Sequence, residues 1–155
     1  MLIYPIIVAV VIVADQITKY MVRSGLDLGQ RIPVMQSLLG DWFNITFIRN
    51  TGTAFSMFAG NKWVTVVLTS ALIVFCLVMA IREIRNGSKA LAICLTFIMA
   101  GGLSNMIDRL YFGYVTDMIS WGSFAIFNVA DIAVTCGCAA AMVVILLFYK
   151  EENNK

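Results

Sequence analysis

Four uninterrupted apolar runs constrain this chain more than any other feature. They extend from about Leu2 to Val22, Trp63 to Ile81, Ala90 to Ile107 and Val129 to Tyr149. Each is long enough to cross a bilayer core as a helix, which takes about 20 apolar residues. Composition agrees: of 155 residues, 61% are hydrophobic and 13% charged, against about a quarter charged in a soluble domain. The expected fold is therefore a mainly α membrane protein, a single domain over residues 1–155 with four transmembrane helices. The first run has no basic segment ahead of it and holds Asp15 and Lys19 in its later half, so it reads as a retained span and not a cleaved leader.

Basic residues in short loops set the expected orientation. Arg82, Arg85 and Lys89 lie between the second and third spans, and Lys150 and Lys155 follow the fourth. This places both termini in the cytoplasm and the first and third loops outside. The first loop also holds Arg23, Arg31, Arg49 and Lys62, but spread over a long stretch. With a net charge of +2 and no basic run, nothing favours nucleic acid. The chain has no histidine, which removes His-based zinc sites and Ser-His pairs. Cys76, Cys94, Cys136 and Cys138 sit in apolar runs, as small buried residues usually do. No metal or cofactor is expected.

The outer loops are not plain linkers. Within residues 31–59, Trp42 to Ile48 alternates in a β-rich pattern, Asn50-Thr51-Gly52 supplies a turn, and Ala54 to Phe58 resumes the apolar pattern. This predicts a small extracytoplasmic β-rich cradle in the first loop, lying with an apolar face on the membrane. Residues 108–128 are rich in aromatics, among them Tyr111, Phe112, Tyr114, Trp121, Phe124 and Phe127, as in an interfacial anchoring belt.

Ionisable groups inside a span cost roughly 2.5–3.5 kcal/mol each on insertion scales, so the chemistry is sought there. Asp15 and Lys19 are four apart and share a helical face: an ion pair, or a pair of which one member reaches an active site. Gly101-Gly102 permits close helix approach, and Asn105, Asp108 and Arg109 follow at the outer end of the third span. These read as helix packing plus an Asp108–Arg109 salt bridge. Asp117, in Val115-Thr116-Asp117-Met118-Ile119, and Asp131, at the outer start of the fourth span, have no base nearby in sequence. Asp131 also suits the dipole of a helix first turn.

Two carboxyls sharing one site cannot both ionise easily. The protonated one polarises a scissile carbonyl and the ionised one takes a proton from water. That division of labour is peptide hydrolysis without histidine. A Lys19 pair with Ser56 or Ser104 is the other hydrolytic arrangement the residues allow. Two non-proteolytic readings stand beside it: a small four-span proton-coupled transporter using Asp15, against which the long outer loops weigh, and a membrane scaffold, which gives no reason for two unpaired carboxylates at one surface.

Five motifs carry a resemblance. They are Asp15-Gln16-Ile17-Thr18-Lys19, Asn50-Thr51-Gly52-Thr53-Ala54-Phe55, Gly101 to Arg109, Val115 to Ile119, and Phe127-Asn128-Val129-Ala130-Asp131. In this order, on four spans, the sequence resembles the bacterial lipoprotein signal peptidases (signal peptidase II) over nearly its whole length. The resemblance implies an intramembrane aspartic endopeptidase of the bacterial cell membrane, with its active site at the outer face. Its substrates would be prolipoproteins, cut just before a cysteine bearing a diacylglyceryl group. Asp117 and Asp131 match the family's catalytic pair. Asp15, Lys19, Asn50, Gly52, Asn105, Asp108, Arg109 and Asn128 match its supporting positions. It also implies contact with membrane lipids, inhibition by globomycin-type compounds at the dyad, and a monomer as sufficient for the chemistry. The loop between Asp117 and Asp131 is short, which bears on the gate over the site.

Overall fold

A computed structural model describes residues 1–52, 62–122 and 125–152, with side chains described through Leu147. Its elements, in chain order, are α1 (Ile3–Gly25), β1 (Arg31–Pro33), α2 (Gln36–Leu39), β2 (Phe43–Asn50), α3 (Lys62–Asn86), α4 (Lys89–Phe112), β3 (Val115–Trp121), β4 (Ala125–Phe127) and α5 (Val129–Glu152). The four long helices coincide with the four expected spans, each a few residues longer, and α1, α3, α4 and α5 are apolar and long enough to cross a membrane. The chain is a multi-pass membrane protein.

Helix α4 is the hub. It packs against α1, α3 and α5, and 56% of its most apolar window is buried, against 17–22% for the other three. Small residues make this possible. A Cβ on Gly101 would fall on the Ala130 carbonyl oxygen of α5, and one on Gly137 would meet the Cys94 carbonyl oxygen of α4 at 2.9 Å. The two helices therefore touch backbone to backbone at both levels. On α1 the buried residues are Val11, Asp15, Lys19 and Val22, spaced to form one stripe. Outward stand Val10, Val13 and Ile17 of α1, Val67, Val74 and Phe75 of α3, and Met142 and Leu146 of α5, a surface suited to lipid.

Gly113, at φ +79°, ends α4 in the left-handed conformation, with its N–H donating to the Arg109 carbonyl at 3.1 Å. Such a residue is the usual stop after a helix, and here it turns the chain into β3. The strands form one antiparallel sheet in the order β1-β2-β3-β4. Between the pairs Ile45↔Ile119 and Ile48↔Asp117 the register shifts, so three residues of β2 span what two span on β3. This bulge sits beside Asp117, where it re-aims the strand. Val22 of α1, Phe47 and Met118 close a small core that fixes the sheet to the helix ends.

The structure extends one expectation. The first loop supplies β1 and β2 of the cradle, as expected, while β3 and β4 come from the segment read as an aromatic belt. Tyr111 and Trp121 of that segment are exposed, whereas Val115 to Ser120 are ladder residues, most of them buried. Ala54 to Phe58 lie outside the described residues, as do Ser56 and Phe124.

Candidate active site

Asn128 is the pivot of the polar cluster at the sheet end of the helices. It caps α5: its Oδ1 accepts the Asp131 N–H at 2.9 Å, and its own N–H donates to Asp131 Oδ2 at 3.2 Å. This reciprocal pair is a capping box with aspartate in the third helical position. The same side chain reaches β3, where its Nδ2 donates to Asp117 Oδ1 at 2.8 Å. Asp117 Oδ2 accepts from Asn50 Nδ2 at 2.9 Å, and Asn50 Oδ1 in turn accepts the Gly52 N–H at 3.0 Å. Asp131 Oδ1 accepts from Asn105 Nδ2 at 2.8 Å. Each carboxylate oxygen of the two aspartates thus faces an N–H donor.

Behind them lies a buried ionic cluster. Lys19 Nζ is 2.7 Å from Asp15 Oδ2 and 3.1 Å from Asp108 Oδ2, and it donates to Asn105 Oδ1 at 2.8 Å. Lys19, Asp15 and Asp108 are fully buried. Burial without partners would be prohibitive, and here every charge is met. Asp15 also accepts from Ser104 Oγ at 2.6 Å and from the Ala130 N–H at 2.9 Å. A residue of α1 thereby satisfies one of the free amides at the start of α5. Asp108 accepts the Thr116 N–H at 2.9 Å, tying α4 to β3. Arg109 Nη2 donates to the Gly52 carbonyl at 3.0 Å. Its Nε is buried without a hydrogen-bond partner among the described residues.

Burial, and then the neighbouring charge of Asp131, push the Asp117 carboxyl up to about 6; the Asn50 and Asn128 hydrogen bonds and the Lys19 cation oppose the rise. Asp117 is buried and Asp131 half-buried. The pair is thus one inner and one more open carboxyl within electrostatic reach, so that ionising both is harder than ionising one.

The structure draws Asp15, Lys19, Asn50, Gly52, Asn105, Asp108, Arg109, Asp117, Asn128 and Asp131 into one connected network. Two local readings change. Asp108 pairs with Lys19 and, at 3.5 Å, with Arg23, not with Arg109, because adjacent helical residues point in different directions. The aspartates that lack a base nearby in sequence receive charged neighbours from distant segments, Lys19 on α1 and Arg109 on α4. The Lys19–Ser104 alternative finds no support: Ser104 Oγ donates to Asp15, and Lys19 is held between two carboxylates. Sequence reasoning gave no role to Gln16, Arg23 or Thr116. Gln16 Nε2 donates to Ser104 Oγ at 3.1 Å and Asp108 Oδ1 at 3.1 Å, and Arg23 Nη1 to Thr116 Oγ1 at 3.0 Å. The helical spacing of Gln16 and Arg23 with Lys19 was the available signal.

A family model described as signal peptidase (SPase) II matches residues 7–148. The lipoprotein signal peptidase of Streptococcus agalactiae serotype Ia is 36% identical over 155 residues, covering 99% of this chain and 96% of that protein. That of Brevibacillus brevis is 34% identical over 152 residues, covering 97% and 99%. A solved bacterial membrane enzyme superposes with a TM-score of 0.83 at 27% identity, covering 98% of this chain and 91% of that one.

Proposed function

The chain belongs to the signal peptidase II family, and from that premise we propose that it is an aspartic endopeptidase that frees bacterial prolipoproteins of their signal peptides, with Asp117 and Asp131 as the dyad. The observation that carries the reading is the grip of Asn128 on both aspartates. One side chain sets their separation, and one proton suffices for the pair.

In this reading the ionised carboxylate takes a proton from water as its oxygen attacks the scissile carbonyl. The protonated one donates to the carbonyl oxygen. Collapse of the tetrahedral intermediate breaks the C–N bond, and the proton passes to the leaving amine. Hydroxyl thus ends on the signal peptide and hydrogen on the mature chain. Arg109, with a buried Nε lacking a partner among the described residues, is suited to orient a substrate carbonyl. Asn105 and Asn128 orient the acids. The bond cut is the one before the diacylglyceryl-bearing cysteine, whose acyl chains stay in the bilayer while the sheet flanks the peptide.

The same reading places the dyad at the outer face of the bacterial cell membrane, with both termini cytoplasmic, following the basic residues Arg82, Arg85 and Lys89. Residues 1–155 act as one peptidase domain, a monomer is sufficient, and a globomycin-type inhibitor would occupy the dyad. The transporter reading is weaker, because Asp15 is fully buried and its oxygens are engaged by Lys19, Ser104 and Ala130.

The test is cleavage of a purified, diacylglyceryl-modified prolipoprotein in detergent by the wild type, Asp117→Asn and Asp131→Asn. Activity in the first and loss in both variants, with folding kept, is expected. Near-normal cleavage by either folded variant would sink the assignment.

A further inference from the structure

Asn105 has two opposed neighbours. Its Oδ1 lies 2.8 Å from Lys19 Nζ and its Nδ2 lies 2.8 Å from Asp131 Oδ1. A carboxamide can be turned either way, and the choice decides whether Asp131 meets a donor or a repelling oxygen. Lysine ammonium only donates, so an oxygen must face it. With Lys19 fixed, the NH2 of Asn105 has one direction left, toward Asp131. Asn128 Nδ2, 3.2 Å from the same Oδ1, favours the same orientation.

We propose that Lys19 is a positioning residue for the dyad: held between Asp15 and Asp108, its ammonium orients the Asn105 carboxamide so that Asp131 is always met by an N–H. The proposal rests on the aspartic reading above and adds a path to it, Lys19 to Asn105 to Asp131, that crosses from α1 through α4 to α5. Lys19 touches neither aspartate of the dyad and acts through Asn105. Its rigidity comes from complete burial and from the two acids that clamp it. Asp15 is itself fixed by Ser104 and the Ala130 N–H, and Asp108 by Gln16, Arg23 and the Thr116 N–H.

A second consequence separates positioning from mere packing. The charged groups around the dyad are Asp15, Lys19 and Arg23 from α1, Asp108 and Arg109 from α4, Asp117 from β3 and Asp131 from α5. Lys19 is one of the influences that hold the Asp117 carboxyl down. Removing this cation while the other groups stay should displace the whole pH–rate bell to higher pH, since its limbs report the dyad as a coupled pair.

The experiment is a double-mutant cycle on the purified full-length chain, using Lys19→Met, Asn105→Leu and the two combined. kcat, KM and the pH profile are read with a diacylglyceryl-modified prolipoprotein, and folding is followed by thermal denaturation in detergent. Lys19→Met is expected to lower kcat about a hundredfold, as for a misplaced catalytic group, with KM little changed and the bell moved upward. The combined variant should be no slower than Asn105→Leu alone, because both act on one hydrogen bond. Because Lys19→Met strands Asp15, the cycle is repeated on an Asp15→Asn background, where both charges of that pair are absent. Additive losses, or an unmoved pH profile with activity tracking folded protein, would overturn the proposal. So would failure of Lys19→Met to fold on both backgrounds, which assigns Lys19 to folding alone. Cleavage surviving in Asp117→Asn or Asp131→Asn would instead overturn the aspartic reading itself.

Discussion

Asn128 Nδ2 donates to Asp117 Oδ1 across 2.8 Å, while its own Oδ1 accepts the first-turn N–H of the helix that carries Asp131. One residue is therefore both helix cap and spacer between the acids. Asn128→Ala should lower stability by about 1 kcal/mol through the lost cap. It should lower kcat far more, about a hundredfold, because Asp117 is no longer aligned with Asp131. Thermal denaturation and steady-state cleavage on the same preparation read the two effects apart.

The elevated Asp117 carboxyl predicts a pH dependence. Its value in the folded protein, about 6, lies above the ordinary 3.8, so the native state holds the proton more tightly than the unfolded one. The stabilisation from this group is complete below the ordinary value and is lost as pH rises through about 6. Wild type should lose stability between pH 4 and pH 8 by on the order of 3 kcal/mol more than Asp117→Asn. Denaturation midpoints across that range test it, and parallel curves for the two proteins would refute it. The alkaline limb of kcat/KM, which reports the free enzyme, should fall in the same region.

Neighbouring glycines of α4 should respond differently to the same substitution. In Gly101→Ala the new methyl meets the Ala130 carbonyl oxygen and Val134, whereas in Gly102→Ala it meets the Ile73 side chain at 3.2 Å. Backbone cannot yield as a side chain does. Gly101→Ala should destabilise by about 1–3 kcal/mol and reduce kcat by parting Asn105 from Asp131. Gly102→Ala should stay near wild type in both. Equal behaviour of the two variants would show that the α4–α5 contact does not set the site.

Asp15→Asn should act chiefly on stability. It breaks a fully buried pair, which costs roughly 3–5 kcal/mol, and weakens the link to the Ala130 N–H. The loss should appear in the denaturation midpoint, with activity per folded molecule largely kept. An Asp15→Asn protein of full stability and no activity would give Asp15 a direct part in the chemistry.

The spans were legible because hydrophobic runs of that length leave few alternatives. The Asp15–Lys19 pair was legible from its four-residue spacing, and the placement of Asp117 and Asp131 at the same end of the helices from two carboxylates without local bases near one membrane surface. The edge-to-edge pairing of β2 with β3 was not legible. It joins segments separated by two whole spans, and the Val115 to Trp121 run carries Trp121 and apolar residues that serve an interfacial belt equally well. Nor was the bulge between Ile45 and Ile48, since an extra residue in one strand has no signature until its partner is known. Asp108 misled for a related reason: the nearest base in sequence, Arg109, points elsewhere, and its partners Lys19 and Arg23 lie on α1.

The hydrogen bond from the Ala130 N–H to Asp15 joins the first of the four spans to the last. During synthesis, α1 enters the membrane long before α5 exists, and Asp131 arrives only with α5. Until then Asn128 is not in place to grip Asp117, and the carboxylates cannot share a proton. With Asp117 and Asp131 as the dyad proposed above, a nascent chain with three spans inserted should be inert toward the proteins around it, and completion of assembly becomes the activation step.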